Sequence, residues 1–291
     1  MQVNNTYVGR FAPSPTGPLH FGSLVAALAS FLDARHHQGE WLIRIEDLDP
    51  PRELTAAPKE ILHQLRSFGL HWDSVPLYQS TRLQAYELTL ENLRKKSLTY
   101  HCTCSRRSFG AIYPGTCRGK NLQDTPYATR IQITKDSISF DDIFQGQQQY
   151  NPETEIGDFI IKRKDGLIAY QLAVVVDDHH QGITHVIRGH DLLNSTPRQL
   201  YIANLLGFKP AEHGHFPVVL GNDGQKLSKQ AKAEAVPLTE SMVTLNRALL
   251  VLGQPAVTAP TVQKLLTIAI ARWNRAAVPA KAGVPLTALL L

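Results

Sequence analysis

The sequence predicts an α/β fold: a parallel sheet covered by helices, interrupted by an inserted subdomain of mixed α/β but mostly β character, and followed by a short helical piece. Three observations lead there. Apolar periodicity alternates between strand and helix in the N-terminal quarter, short strand-like segments follow a cysteine cluster in the middle, and helical spacing returns after residue 230. At 291 residues, 43% hydrophobic and 19% charged, the chain has enough apolar material for one large domain or two ordinary ones.

Tyr7 to Phe11 reads as the first strand, stopped by the Pro13-Ser14-Pro15-Thr16-Gly17-Pro18 turn because proline cannot donate to a ladder. From Ser23 to His36, Leu24, Ala27, Leu28, Phe31 and Leu32 recur at helical spacing and predict an amphipathic helix. Trp41 to Ile45 alternates as a second strand, and Pro58 opens a helix that Gly69 closes. In the middle, Ala128 to Ile133 and Asp158 to Lys162 read as strands of the insert. Tyr170 to Val176 and Ile183 to Ile187 are expected to resume the sheet. A helix then starts with Ser195 or Thr196 as cap, Pro197 at its first position and Gly207 beyond its end. Val218 to Leu220 reads as a further buried strand, and two helices are expected at about 239–252 and 261–275.

Composition excludes several classes. Glycine and proline, 19 and 18 residues, show no Gly-X-Y period or biased tract, so collagen-like and low-complexity readings fail. The apolar run from Leu24 to Leu32 falls far short of the ~20 residues that span a bilayer, and the first fifteen residues carry no apolar signal region. A cytoplasmic protein without a membrane partner is therefore expected. The formal net charge of +5 permits a polyanionic partner without identifying one. All three cysteines, Cys102, Cys104 and Cys117, fall inside sixteen residues, a spacing that reads as metal binding. Three thiolates there point to one structural Zn2+, whose fourth ligand is Tyr113, His101 or water.

Two segments carry chemistry. The loop from Arg10 to Ser23 joins strand to helix, so His20 and the backbone around Gly22 face whatever binds at that helix N-terminus, and phosphate is the natural ligand there. Lys226-Leu227-Ser228-Lys229-Gln230, preceded by Gly221-Asn222-Asp223-Gly224, places two ammonium groups on a Gly-flanked loop that could close over a triphosphate.

Together His20-Phe21-Gly22-Ser23 and Lys226-Leu227-Ser228-Lys229-Gln230 resemble the HIGH and KMSKS signatures of class I aminoacyl-tRNA synthetases. Arg10 to Leu24, Arg44 to Asp49 and Gly182 to Leu193 resemble the glutamyl branch of that class, in the same order, over residues 7 to about 230. The resemblance implies a Rossmann-like catalytic domain in two halves, 1–100 and 166–235. A zinc-bearing insert would occupy 101–165, and a short helical C-terminal subdomain 236–291. It implies that His20, Gly22, Lys226 and Lys229 act on ATP, bound with Mg2+. It also implies that Arg10, Ala12, Ser14, Glu46, Tyr170 and Arg188 hold L-glutamate. Arginine's fork suits bidentate carboxylate recognition, although Arg44 and Glu46 on one strand face could equally pair with each other. Ser23 and Gln230 depart from the signatures, at positions that supply neither the imidazole nor the ammonium. Shortened relatives place a tyrosine four residues before the last cysteine, which favours Tyr113 over His101 as zinc ligand.

Only 61 residues follow residue 230, whereas an anticodon-reading domain takes on the order of 100. On that ground the chain resembles the shortened glutamyl-queuosine tRNA(Asp) synthetases, which load glutamate onto the queuosine base of a tRNA anticodon. The expectation is a monomer that activates glutamate without tRNA and grips the tRNA(Asp) anticodon stem-loop. The alternative expectation is a minimal tRNA-charging glutamyl synthetase.

Overall fold

The computed structural model describes residues 6–123, 126–134, 136–221, 224 and 235–285. The chain opens with β1 (Val8–Phe11), α1 (Phe21–His36), β2 (Glu40–Ile45), α2 (Ala57–Ser67), β3 (Leu77–Tyr78) and α3 (Leu83–Lys95). β4 (Thr99–Cys102), β5 (Ala128–Ile131), β6 (Ile138–Asp142), β7 (Gly146–Tyr150) and β8 (Phe159–Lys162) follow. Next come α4 (Tyr170–His180), β9 (His185–Gly189), α5 (Thr196–Leu206), β10 (Glu212–Phe216) and β11 (Val218–Leu220). α6 (Ser241–Val251), α7 (Val262–Arg272) and β12 (Gly283–Pro285) complete the described order.

The main sheet runs β3-β2-β1-β9-β10-β6-β7. All its pairings are parallel except the hairpin β6–β7 at one edge. Strand alternation separates two faces. Trp41, Ile43 and Ile45 of β2 join α1 and the C-terminal helices in one core, with Leu245, Leu249, Leu265 and Trp273 packed in the same cluster. Leu42 and Val186 belong to the other face, where Arg44 meets α4. α1 buries ten of its sixteen residues because it is enclosed by β1, β9, α6 and α7. No helix among the described residues is long and apolar enough to cross a membrane.

Three expectations change. Tyr170 to Val176 is the helix α4 and not a strand: its apolar run is enclosed between the sheet and α3 and α5, so it lacks a polar stripe to betray its period. The stretch 101–165 divides between two sheets. β4, β5 and β8 form a separate antiparallel sheet, whereas β6 pairs with β10 and carries β7 onto the main one. Ser195 stands at the N-cap of α5, as one of the two expected residues, but makes no capping bond: its hydroxyl accepts from Gln171 at 3.1 Å and that of Thr196 from Arg188, while Gly207 closes the helix at φ 71 as its spacing required.

Candidate active site

The loop between β1 and α1 is pinned from three sides. Leu19 N–H donates to Gln64 Oε1 at 2.7 Å, Leu54 N–H to the Pro15 carbonyl at 2.9 Å, and Glu46 N–H to the Pro13 carbonyl at 3.0 Å. Gly17 takes φ 139, a conformation side-chain-bearing residues rarely adopt. The loop delivers His20 as the N-cap of α1: its Nδ1 accepts from Ser23 N–H at 3.3 Å, and its Nε2 lies 3.0 Å from Ser23 Oγ. Ser23, the departure from the signature, therefore serves the cap.

A cleft of about 700 Å3 opens at the carboxyl ends of β1, β2 and β9. Arg10, Ala12, Ser14, Glu46, Tyr170 and Arg188, the residues expected around glutamate, all line it, and so do His20 and Gly22. Lys226 and Lys229 lie outside the described residues. The described residues on either side border the cleft. Val219 lines it, Ala235 bridges to His20, and Val236 N–H donates to the Leu19 carbonyl at 3.0 Å.

The charges are arranged in a row across the sheet. Arg44, Arg10 and Arg188 stand on β2, β1 and β9, all on the face covered by α4. Arg44 Nη1 donates to Asp178 Oδ1 at 2.7 Å and to Gln181 Oε1 at 3.0 Å, and Arg10 Nε donates to the same Asp178 oxygen at 3.3 Å. Burial alone would raise the Asp178 carboxyl, but Arg44 and Arg10 outweigh it and hold it below the usual range. Glu46 both lines the cleft and accepts from Arg44 Nη2 at 3.4 Å, a long contact, so the structural pairing and the cleft position coexist. Burial lifts the Glu46 carboxyl above its ordinary value, against the pull of Arg44 and Arg10.

Arg188 is 4% exposed and heavily engaged. Nε donates to His215 Nε2 at 2.9 Å and Nη1 to the Tyr170 hydroxyl at 3.2 Å. Nη2 donates to Thr196 Oγ1 at 2.7 Å and to the Leu192 carbonyl at 3.3 Å. Among the described residues four of its five N–H groups thus have partners, so Arg188 offers a ligand its charge and one Nη1 N–H, not the open fork expected from sequence. Tyr170, whose oxygen accepts from Arg188, keeps a proton to donate.

Asp178, His215 and Asp142 escaped the sequence reading, and Thr196 was read only as a helix cap and not as a partner of Arg188. Asp178 was concealed by the mistaken strand, which left the Asp177-Asp178 pair without a face. His215 and Asp142 lie in short polar strands, Glu212-His213-Gly214-His215-Phe216 and Ile138-Ser139-Phe140-Asp141-Asp142, which carry neither a sustained apolar alternation nor a motif to single them out.

The cysteines form a second centre. The three Sγ atoms lie within 4.8 Å of one another. The Tyr113 hydroxyl is 3.4 Å from Cys102 Sγ and 3.7 Å from Cys104 Sγ, and it accepts from Cys117 N–H at 2.9 Å. Cys104 and Cys117 approach to 3.5 Å. Ligands on one tetrahedral zinc stand ~3.5 to 3.8 Å apart when Zn–S is ~2.3 Å, so this donor set fits. His101 does not belong to it: Nδ1 is 2.8 Å from the Leu122 carbonyl and the ring stacks on Tyr127. Burial raises the Cys104 thiol, whereas at Cys117 hydrogen bonds from Tyr113 and Cys104 overcome burial and bring the thiol down to about 7.

Comparison with known proteins adds three findings. The family model for the catalytic domain of class I tRNA synthetases of the E and Q type matches residues 7–112 and 111–244. Curated relatives named glutamyl-Q tRNA(Asp) synthetase include one from Acinetobacter baylyi, 47% identical over 278 residues and covering 95% of each chain. Another, from Pseudomonas aeruginosa, is 45% identical over 97% of this chain and 99% of its own. Among solved structures, a glutamate tRNA ligase from Elizabethkingia meningosepticum in complex with its amino acid superposes with a TM-score of 0.81 at 25% identity. That match covers 97% of this chain and 67% of the ligase.

Proposed function

The chain belongs to the class I tRNA synthetases for glutamate and glutamine, within the glutamyl-Q tRNA(Asp) synthetases, and from that premise we propose that it activates L-glutamate with ATP and transfers it to the queuosine base of tRNA(Asp). It is a ligase. The observation that carries the reading is the single cleft in which Arg10, Ser14, Glu46, Tyr170 and Arg188 gather beside the capped N-terminus at His20. The curated relatives support the acceptor, since the two named glutamyl-Q tRNA(Asp) synthetases are 45 to 47% identical and are covered over 95% or more of their own lengths.

Glutamate brings two carboxylates and an ammonium. The arginines of β1 and β9 take the negative charges, Glu46 takes the ammonium, and Ser14, Tyr170 and the backbone at Ala12 fix orientation. A carboxylate oxygen then attacks the α-phosphorus of ATP, bound with Mg2+, and pyrophosphate leaves. His20, the amides from Gly22 onward and the ammoniums of Lys226 and Lys229 stabilise the charge that develops on phosphate. In the second step a hydroxyl of the queuosine cyclopentenediol attacks the glutamyl carbonyl and AMP departs, an ester forming much as on a terminal ribose. Cys102, Cys104, Tyr113 and Cys117 would hold one zinc ion, which cross-links the insert and takes no part in adenylation.

Two measurements test this reading. ATP–pyrophosphate exchange should run with glutamate and no tRNA; exchange seen only after tRNA is added contradicts that part. Labelled glutamate should attach to tRNA(Asp) stripped of its terminal adenosine and fail to attach when guanosine replaces queuosine at the wobble position. The reverse pattern would make the protein an ordinary tRNA-charging enzyme.

A further inference from the structure

We propose that His215, locked in one tautomer by Asp142, is a positioning residue that sets the orientation of Arg188 for glutamate. Arg188 and His215 are register partners on the adjacent parallel strands β9 and β10, so their side chains leave the sheet on the same face. His215 is fully buried and Asp142 is 4% exposed. Such a chain of polar groups in a core costs desolvation and adds little stability unless it fixes something.

What it fixes can be followed atom by atom. Asp142 Oδ1 accepts three backbone N–H groups at 3.0 Å each, from Phe144, Gln145 and His215, so that oxygen can only be an acceptor. Burial would raise the Asp142 carboxyl, but the hydrogen bonds from His215 and the backbone donors hold it below its ordinary value, so it is ionised. Its other oxygen, Oδ2, 2.5 Å from His215 Nδ1, therefore accepts the proton carried there. With the proton on Nδ1, Nε2 carries a lone pair, and Arg188 Nε–H points into that lone pair at 2.9 Å. Thr196 Oγ1, which accepts from Arg188 Nη2, lies 3.2 Å from the same Nε2 and closes the frame. Burial and the neighbouring Arg188 charge bring the imidazole down to about 4 in spite of Asp142, so the ring is neutral where the enzyme works. A protonated ring or the other tautomer would set a donor against the donor of Arg188 and turn the guanidinium away from the cleft.

The inference rests on the reading that Arg188 binds glutamate, and the experiment separates the two. Glutamate Kd by calorimetry and the KM values for glutamate and ATP in exchange are measured on the full chain and on Arg188→Ala, His215→Leu, His215→Gln and Asp142→Asn. In Asp142→Asn the three backbone donors hold the amide oxygen at the Oδ1 position, so its NH2 faces Nδ1 and forces the wrong tautomer. Asp142→Asn and His215→Leu should each weaken glutamate by about 10- to 100-fold while leaving the ATP KM within about twofold. His215→Gln, which restores an acceptor near the Nε2 position, should recover most of the loss. The double variant should be no worse than His215→Leu. Nitrogen NMR of the unaltered protein should find the His215 proton on Nδ1. If Arg188→Ala leaves glutamate binding intact, the substrate reading falls. If Arg188→Ala weakens it but Asp142→Asn and His215→Leu do not, or weaken ATP equally, the positioning role is overturned. A proton found on Nε2 overturns it without any variant.

Discussion

Glu46 stands between two demands: it accepts a long hydrogen bond from Arg44 and it faces the cleft. Because Arg44 is held more closely by Asp178, removing the Glu46 charge leaves Arg44 paired and the strand intact. Glu46→Gln should therefore weaken glutamate by about 2 to 5 kcal/mol, the scale of a partly desolvated charge pair, with ATP binding preserved. Equal losses for both substrates in ATP–pyrophosphate exchange would remove Glu46 from the ammonium site. The residues around this cleft were legible in the sequence where they sit in an ordered run of motif positions, as Arg10, His20 and Arg188 do. Asp178, Asp142 and His215 were illegible for a physical reason: the partners that give each its role stand on elements distant in sequence, and no motif or spacing ties them together.

At the scale of elements the same contrast holds. The helices α1, α5, α6 and α7 announced themselves through spacing, Pro197 and Gly207. α4 did not, since an apolar helix enclosed on several sides has no polar stripe, and Val174-Val175-Val176 favours strand by propensity. Its helical turn matters, because Asp177 and Asp178 diverge by about 100°. Asp177 is reached by Gln79 at 2.9 Å, Tyr86 at 2.7 Å and Arg82 at 2.5 Å, while Asp178 serves the arginines of the sheet. The insert depends on a different device. Cys102 ends β4, and Tyr113 and Cys117 return to it through a segment with little regular structure, so a metal would replace the missing core. Cys102→Ser, or a strong chelator, should release one equivalent of zinc and lower the melting temperature. Tyr113→Phe should weaken metal retention less than the cysteine change does. Unchanged metal content and stability in Cys102→Ser would refute the ligand set.

Across the whole molecule, α1 links the cleft to the C-terminal helices. His20 caps its start, and Asp33, fully buried near its end, accepts from Tyr7 Oη at 2.5 Å and Trp273 Nε1 at 2.8 Å, and from Arg275 Nε and Nη2 at 2.7 and 2.8 Å. Burial by itself would raise the Asp33 carboxyl; the hydrogen bonds and charge of Arg275, with Tyr7 and Trp273, prevail and hold it below its ordinary value. A carboxyl lowered in this way binds its proton less readily in the folded chain than in the unfolded one. It therefore stabilises the fold at every pH above the unfolded value of ~3.9, and that contribution drains away as the pH falls through the folded value. Asp33→Asn keeps the shape but leaves Arg275 without its anion, and should cost about 3 to 5 kcal/mol at neutral pH. Urea unfolding followed through the tryptophans should show the gap between the two proteins narrowing below about pH 4. A gap that stays constant down to pH 2 would mean that the ion pair does not clasp the C-terminal helices to the catalytic body. Their apolar packing against α1 would then carry the attachment alone.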